Sequence, residues 1–351
     1  MNFSNLTPYK NNFFFGRANT AIWMLAKYIK EKYIKPTIIL PSSMCVSPAN
    51  IFFYEKIKII FVDVNKETGI IDLKKVIKIT KNEKNCCLFY VNLFGNFSNE
   101  KELIIRIREN NVFIIQDIAQ TFFLPNKKEN FEQFFGDVCI TSFGYSKIFD
   151  HSHGSYIFFN SEELINYSKK FSKTYLKKTN KKEFLKSKKL YLEWYNKIYL
   201  QNKKITIQQL SGFIKNLYLV KTNNVIRKNI DRDLVNFKKE FKRRNSLYKY
   251  YRKNLDLKKI KLMNSAISSF NWRFCFLVDK HRSKIISTLR DEKMDVSSYY
   301  PNVGSRFTKG LFPNSDIIEN KVVNLWLTRK YDKKKILKQC NVIKDILTNK
   351  V

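Results

Sequence analysis

Apolar runs of strand length alternate with amphipathic runs of helical length through the first third of this chain. That alternation restricts the fold more than any other feature. TAIWMLAKYIKE (20–31) carries apolar residues at helical spacing and is followed by Pro36 and the strand-like TIILP. KIIFVDV reads as the next strand, DLKKVIKIT as a helix, CCLFYVNLF as a strand, NEKELIIRIREN as a helix and VFIIQDI as a strand. Strands separated by helices of this length need crossover connections, so we expect an α/β fold with a mainly parallel sheet flanked by helices. Ligands in such sheets bind beyond the carboxyl ends of the strands. Ser42, Ser43, Asn92, Asp117, Gln120, Ser142 and Lys147 fall there.

The character changes at residue 161. Lys- and Tyr-rich stretches with helical spacing run to about residue 260, and the segment 161–234 reads as a basic helical connector or insert. We assign it to a large domain spanning 1–234. Mixed patterning then returns, with FNWRFCFLVD and VVNLWL as strands and RSKIISTLRDEK and DKKKILKQCNVIKDIL as helices. These form a smaller C-terminal α/β domain over 235–351.

Several function classes are disfavoured. No run of 18 or more apolar residues exists, so no spanning helix is expected, and the start does not read as a secretion signal. The six cysteines (45, 86, 87, 139, 275, 340) show no metal-ligand spacing, and three histidines are few for a metal site. No metal is expected, and buried thiols suit a cytoplasmic location. The formal charge of +36 is spread along the chain without a recognised RNA or DNA module, so no specific nucleic-acid partner is expected. The basic stretch 161–205 reads instead as lysines on the wet faces of amphipathic helices.

Asp117 and Lys147 narrow the chemistry. One ends an apolar strand and the other lies in a turn thirty positions on. A pyridoxal phosphate enzyme needs such a pair: the amine forms a Schiff base with the cofactor aldehyde, and the acid keeps the pyridinium nitrogen protonated. A lone loop lysine is usually a solvated charge, so the setting of Lys147 carries the argument.

That setting resembles the DegT/DnrJ/StrS family of nucleotide-sugar aminotransferases. Asn19-Thr20-Ala21 matches the Gly-Thr-Ala stretch that opens the family's first helix. PSSMCVSPAN (41–50), IIFVDV, VNLFGN (91–96) and QDIAQ (116–120) follow in the family's order. Ser142 and Lys147 match its phosphate serine and Schiff-base lysine, and KRRNSLYKYY and SSYYP (297–301) resemble its small-domain segments. The resemblance implies the fold type I architecture of pyridoxal phosphate transferases and a homodimer. It implies Lys147 as the catalytic residue and Asp117, Gln120, Asn19, Thr20, Ala21, Cys45 and Ser142 around the cofactor. It implies His153, Tyr299 and Tyr300 near the substrate, and Asn216 as a contact to the partner subunit's phosphate.

The implied activity is amination of a nucleotide-linked ketosugar for surface polysaccharide or related glycan synthesis, with glutamate as the expected donor. A pyridoxamine-dependent sugar dehydratase on the same fold and a degenerate, non-catalytic member are the alternatives. Relatives of the dehydratase kind carry histidine where this chain has Lys147. The chain also departs from the family pattern. Asn19 replaces glycine, Cys45 stands where an aromatic stacks on the cofactor, and the Gly-Glu-Gly-Gly after the lysine is missing.

Overall fold

The computed structural model describes residues 7–97, 100–121, 133–177, 181–200, 206–221, 224–263 and 271–348. Residues 1–6, part of the start read above, lie outside them. The first sheet has seven strands: β1 (Asn11–Phe15), β2 (Thr37–Pro41), β3 (Lys58–Val62), β4 (Cys86–Val91), β5 (Phe113–Asp117), β6 (Val138–Ile140) and β7 (Ser155–Phe159). Their order is β1-β7-β6-β5-β4-β2-β3, parallel from β6 to β3, with β7 and β1 antiparallel at one edge.

Helices α1 (Ala18–Lys32), α2 (Val46–Tyr54), α3 (Leu73–Asn82) and α4 (Lys101–Glu109) flank this sheet. Strand side chains alternate between faces, and here both faces are covered. Ile38 and Leu40 join a core with Trp23 of α1 and Phe52 of α2. Ile39 joins a second core with Val76 of α3 and Ile107 of α4. Two apolar faces explain why the strands read as continuous apolar runs. Each fully buried Ile or Leu contributes about 1.5–3 kcal/mol.

Helices α5 (Glu162–Tyr175), α6 (Lys181–Leu200), α7 (Ile207–Ser211), α8 (Ile214–Tyr218) and α9 (Asn224–Val235) occupy the expected basic insert. They are more than a wet decoration, because Ser187, Trp194, Leu210, Ile214 and Ile230 are buried. After α10 (Phe237–Asn254) comes an antiparallel sheet of order β10-β11-β9-β8. It contains β8 (Lys261–Leu262), β9 (Arg273–Leu277), β10 (Val296–Ser297) and β11 (Val322–Trp326). Helices α11 (Arg282–Asp291), α12 (Val303–Phe307), α13 (Pro313–Lys321) and α14 (Lys333–Leu347) complete it. Its own core gathers Tyr251, Phe274, Ile285 and Ile336. Among the described residues, no helix is long and apolar enough to cross a membrane.

Two buried polar knots fasten the second sheet to the first. Asp63, just after β3, accepts from the Ser315 and Asn314 amides of α13, each at 3.0 Å. Arg244 of α10, only 2% exposed, pairs with Glu240 at 2.8 Å and donates to the carbonyls of Ile148 and Trp272, each at 2.9 Å. Removing this guanidinium strands buried acceptors. We therefore expect Arg244→Ala to cost about 3 kcal/mol of stability. A urea midpoint unchanged from wild type would contradict that structural role.

Candidate active site

Asp117 is the last residue of β5, and β6 lies beside it in parallel register. The chain leaves β6 at Ile140, forms the 141–154 turn that carries Lys147, and returns as β7. The strand that leads into this turn is Val138–Ile140, and Thr141 already begins the turn.

The turn is held from several sides. The Phe143 amide donates to the Gly154 carbonyl, and His151 to Phe143, each at 2.9 Å. Ser146 donates its amide to Asp150 at 2.7 Å. The residues on either side of Lys147 are held by the second sheet's side of the molecule. Trp272 Nε1 donates to the Ser146 carbonyl at 3.0 Å, Arg273 to Ser146 Oγ at 2.9 Å, and Arg244 to Ile148. Gly154 has φ +102°, and an added Cβ would run into Ile230, so this return needs glycine.

Lys147 keeps some residue exposure, but its charged end is enclosed. Burial pushes its amine below the ordinary lysine range; Asp117 and Cys45 oppose that shift, and Arg273 adds to it. Burial raises the Asp117 carboxyl, while Lys147 and the Ala119 amide (2.8 Å) pull it back. The two groups therefore interact by charge. The Lys147 amine also lies 5.9 Å from the Trp272 ring centre.

Lys147 opens onto a cavity of about 390 Å³, within the range of small-molecule sites. Asn19, Cys45, Ser142 and His153 line it, so four further residues chosen from the sequence meet there. Burial, Arg17 and Lys188 hold the His153 imidazole below its usual range. No carboxylate lines this cavity among the described residues.

Other expected residues sit differently. Thr20 and Ala21 are fully buried in α1 and do not line the cavity, because the helix turns them toward the core. The Thr20 hydroxyl donates to the Tyr218 carbonyl rather than into the cavity. Ala18 and Asn19 present the start of α1 in their place. Gln120 accepts from the Phe94 amide at 2.9 Å, which orients its carboxamide. Tyr300 is buried against Phe94 and Trp272, and Tyr299 stacks on Tyr195 of α6 at 6.4 Å. Neither tyrosine lines the cavity. Asn216 is exposed on α8.

The cavity residues that escaped the sequence reading include Arg17, Phe184 and Lys188. Arg17 stands two positions before the Asn19-Thr20-Ala21 stretch, so adjacency was the available signal. Phe184 and Lys188 reach the site only because α6 folds over it, and no local pattern marks them.

Known proteins now bear on this geometry. The sequence profile of the DegT/DnrJ/EryC1/StrS aminotransferase family matches residues 18–344. No curated protein matches the sequence. Among solved structures, a DegT/DnrJ/EryC1/StrS aminotransferase from Brucella abortus is similar at 16% identity and TM-score 0.68, covering 98% of this chain and 87% of its own. A sugar aminotransferase from Micromonospora echinospora is similar at 14% identity and TM-score 0.66, over 98% and 89%. A 3-amino-5-hydroxybenzoic acid synthase is similar at 12% identity and TM-score 0.68, over 99% and 89%. These likenesses show the fold, that of fold type I pyridoxal phosphate transferases.

Proposed function

The chain belongs to the DegT/DnrJ/EryC1/StrS aminotransferase family, and we propose that it aminates the keto carbon of a nucleotide-linked sugar. Membership makes it a pyridoxal phosphate-dependent aminotransferase. The finer reading, a ketosugar consumed in surface polysaccharide or related glycan synthesis with glutamate as donor, is our proposal. The observation that carries it is Lys147, coupled by charge to Asp117 and lining a cavity with no carboxylate among the described residues.

The residues present fit the cofactor. An aldehyde needs a neutral amine, and the enclosed Lys147 amine loses its proton more readily than a surface lysine does. A phosphate needs donors without competing acids, and the cavity supplies Ser142 and the start of α1. When bound, pyridoxal phosphate supplies a reactive carbonyl and an electron-accepting ring.

Each residue then has a limited role. Lys147 Nζ takes a proton from the donor's α-carbon and returns one at the ketosugar carbon. Asp117 would keep a proton on the ring nitrogen by its charge. Gln120, oriented by the Phe94 amide, would offer its NH₂ end as a donor to the cofactor's phenolic oxygen. Ser142 and the amides of Ala18 and Asn19 would hold the phosphate. Cys45 would lie against the ring as a small, soft group, and His153 lines the cavity wall with its imidazole held below its usual range. Tyr299 and Tyr300 shape the sugar side from the small domain. Asn216, exposed on α8, reaches a second subunit in the proposed homodimer.

Incubation with glutamate and a panel of nucleotide ketosugars should yield an aminosugar and 2-oxoglutarate in equal amounts. A deoxy-ketosugar without amine incorporation would support the dehydratase instead. Failure to take up pyridoxal phosphate would support a non-catalytic binding protein.

A further inference from the structure

Helix α6 lies against the cofactor cavity, and two of its residues there have no part in the proton transfers above. Phe184 presents its ring to the Arg17 guanidinium at 4.9 Å, and Lys188, one turn further, lines the same cavity. Arg17 reaches the cavity from the residue that precedes α1. Its Nη1 donates to the Leu217 carbonyl at 3.1 Å. Among the described residues, neither Arg17 nor Lys188 pairs with a carboxylate. A guanidinium carries five N–H donors, and one carbonyl satisfies one of them.

Burial pushes the Arg17 guanidinium below its ordinary range. Buried charges are ordinarily paired, so an enclosed cation with open donors calls for an anion. Among the described residues, the cavity wall supplies none. It holds Arg17, Lys147 and Lys188 with no acid among them. Once Lys147 acts as a neutral amine, two positive charges remain to meet a phosphate, which carries between one and two negative charges near neutrality.

We propose that Arg17 and Lys188 of the same chain are the charge partners of the cofactor phosphate. Arg17 acts by direct N–H donation and Lys188 by its field at the rim. The inference rests on reading this cavity as the cofactor site. It also accounts for α6, which brings Lys188 to the phosphate at one end and stacks Tyr195 on Tyr299 at the other.

The test compares two aldehydes, pyridoxal phosphate and pyridoxal, titrated into apoprotein and followed by visible absorption. Arg17→Gln should weaken pyridoxal phosphate binding by about 10- to 100-fold, as loss of a charge-assisted bond does. Pyridoxal binding should not change. Lys188→Glu alters an exposed position and so preserves folding. It should weaken pyridoxal phosphate about three- to tenfold at low salt. High salt should shrink that difference. Equal losses for both aldehydes, or unaltered pyridoxal phosphate affinity in both variants, would overturn the assignment while leaving the cavity reading intact. Wild-type protein that takes up neither aldehyde at Lys147 would overturn both.

Discussion

Lys147→Ala is expected to lower amine transfer by about 10⁴-fold, the upper range for loss of a positioned general acid–base group. Cofactor affinity should fall much less, because the phosphate contacts lie elsewhere in the cavity. Borohydride treatment followed by peptide mapping gives the independent readout: wild type should retain the cofactor on Lys147, and the variant on no single residue. The pH dependence follows from the direction of the shift. Burial lowers the Lys147 pKa, so its amine is neutral at a pH where exposed lysines, near about 10.4, remain protonated. Labelling below the ordinary lysine range should therefore favour Lys147, and selectivity should disappear as pH rises toward that range. Uniform labelling below the ordinary lysine range, or transfer by the alanine variant at near wild-type rate, would refute the role.

Asp117→Asn should lower the rate by about 10²- to 10³-fold, the usual effect of removing one preorganised electrostatic partner. Asparagine is nearly the same size, so the strand end and the Ala119 contact can persist. What is lost is negative charge beside Lys147 and, in the proposed function, beside the ring nitrogen. Asp117 now holds the Lys147 pKa up against burial. Without it the amine should titrate lower still, and cofactor capture should extend to lower pH. A variant with unchanged kcat, or with its capture profile shifted upward, would show that Asp117 serves only the backbone.

The difference between these residues and Arg17 marks how far the sequence could be read. Asp117 and Lys147 were legible because each ends or follows a strand, and parallel strands bring their carboxyl ends together whatever the side chains are. Asn19, Cys45, Ser142 and His153 were legible from their order along the chain, and they line the cavity. Thr20 and Ala21 were chosen by the same order yet face the core. The register of a helix within its first turn decides that, and it depends on which side packs against α8. Lys188 was invisible, one of 66 lysines and arginines whose local sequence says nothing of its surroundings.

Local periodicity alone determined the layered α/β fold, since a strand apolar at every position must be covered on both faces. It also determined which edge of the sheet carries the polar strand ends. Tertiary structure alone decided the electrostatic content of the site. Arg17 is anchored by a carbonyl 200 positions away, Lys188 arrives on a helix folded back across the cavity, and Ser146 and Ile148 are held from the second sheet's side of the molecule. Coulomb interactions depend on distance and on exclusion of water, and neither exists until remote segments pack together.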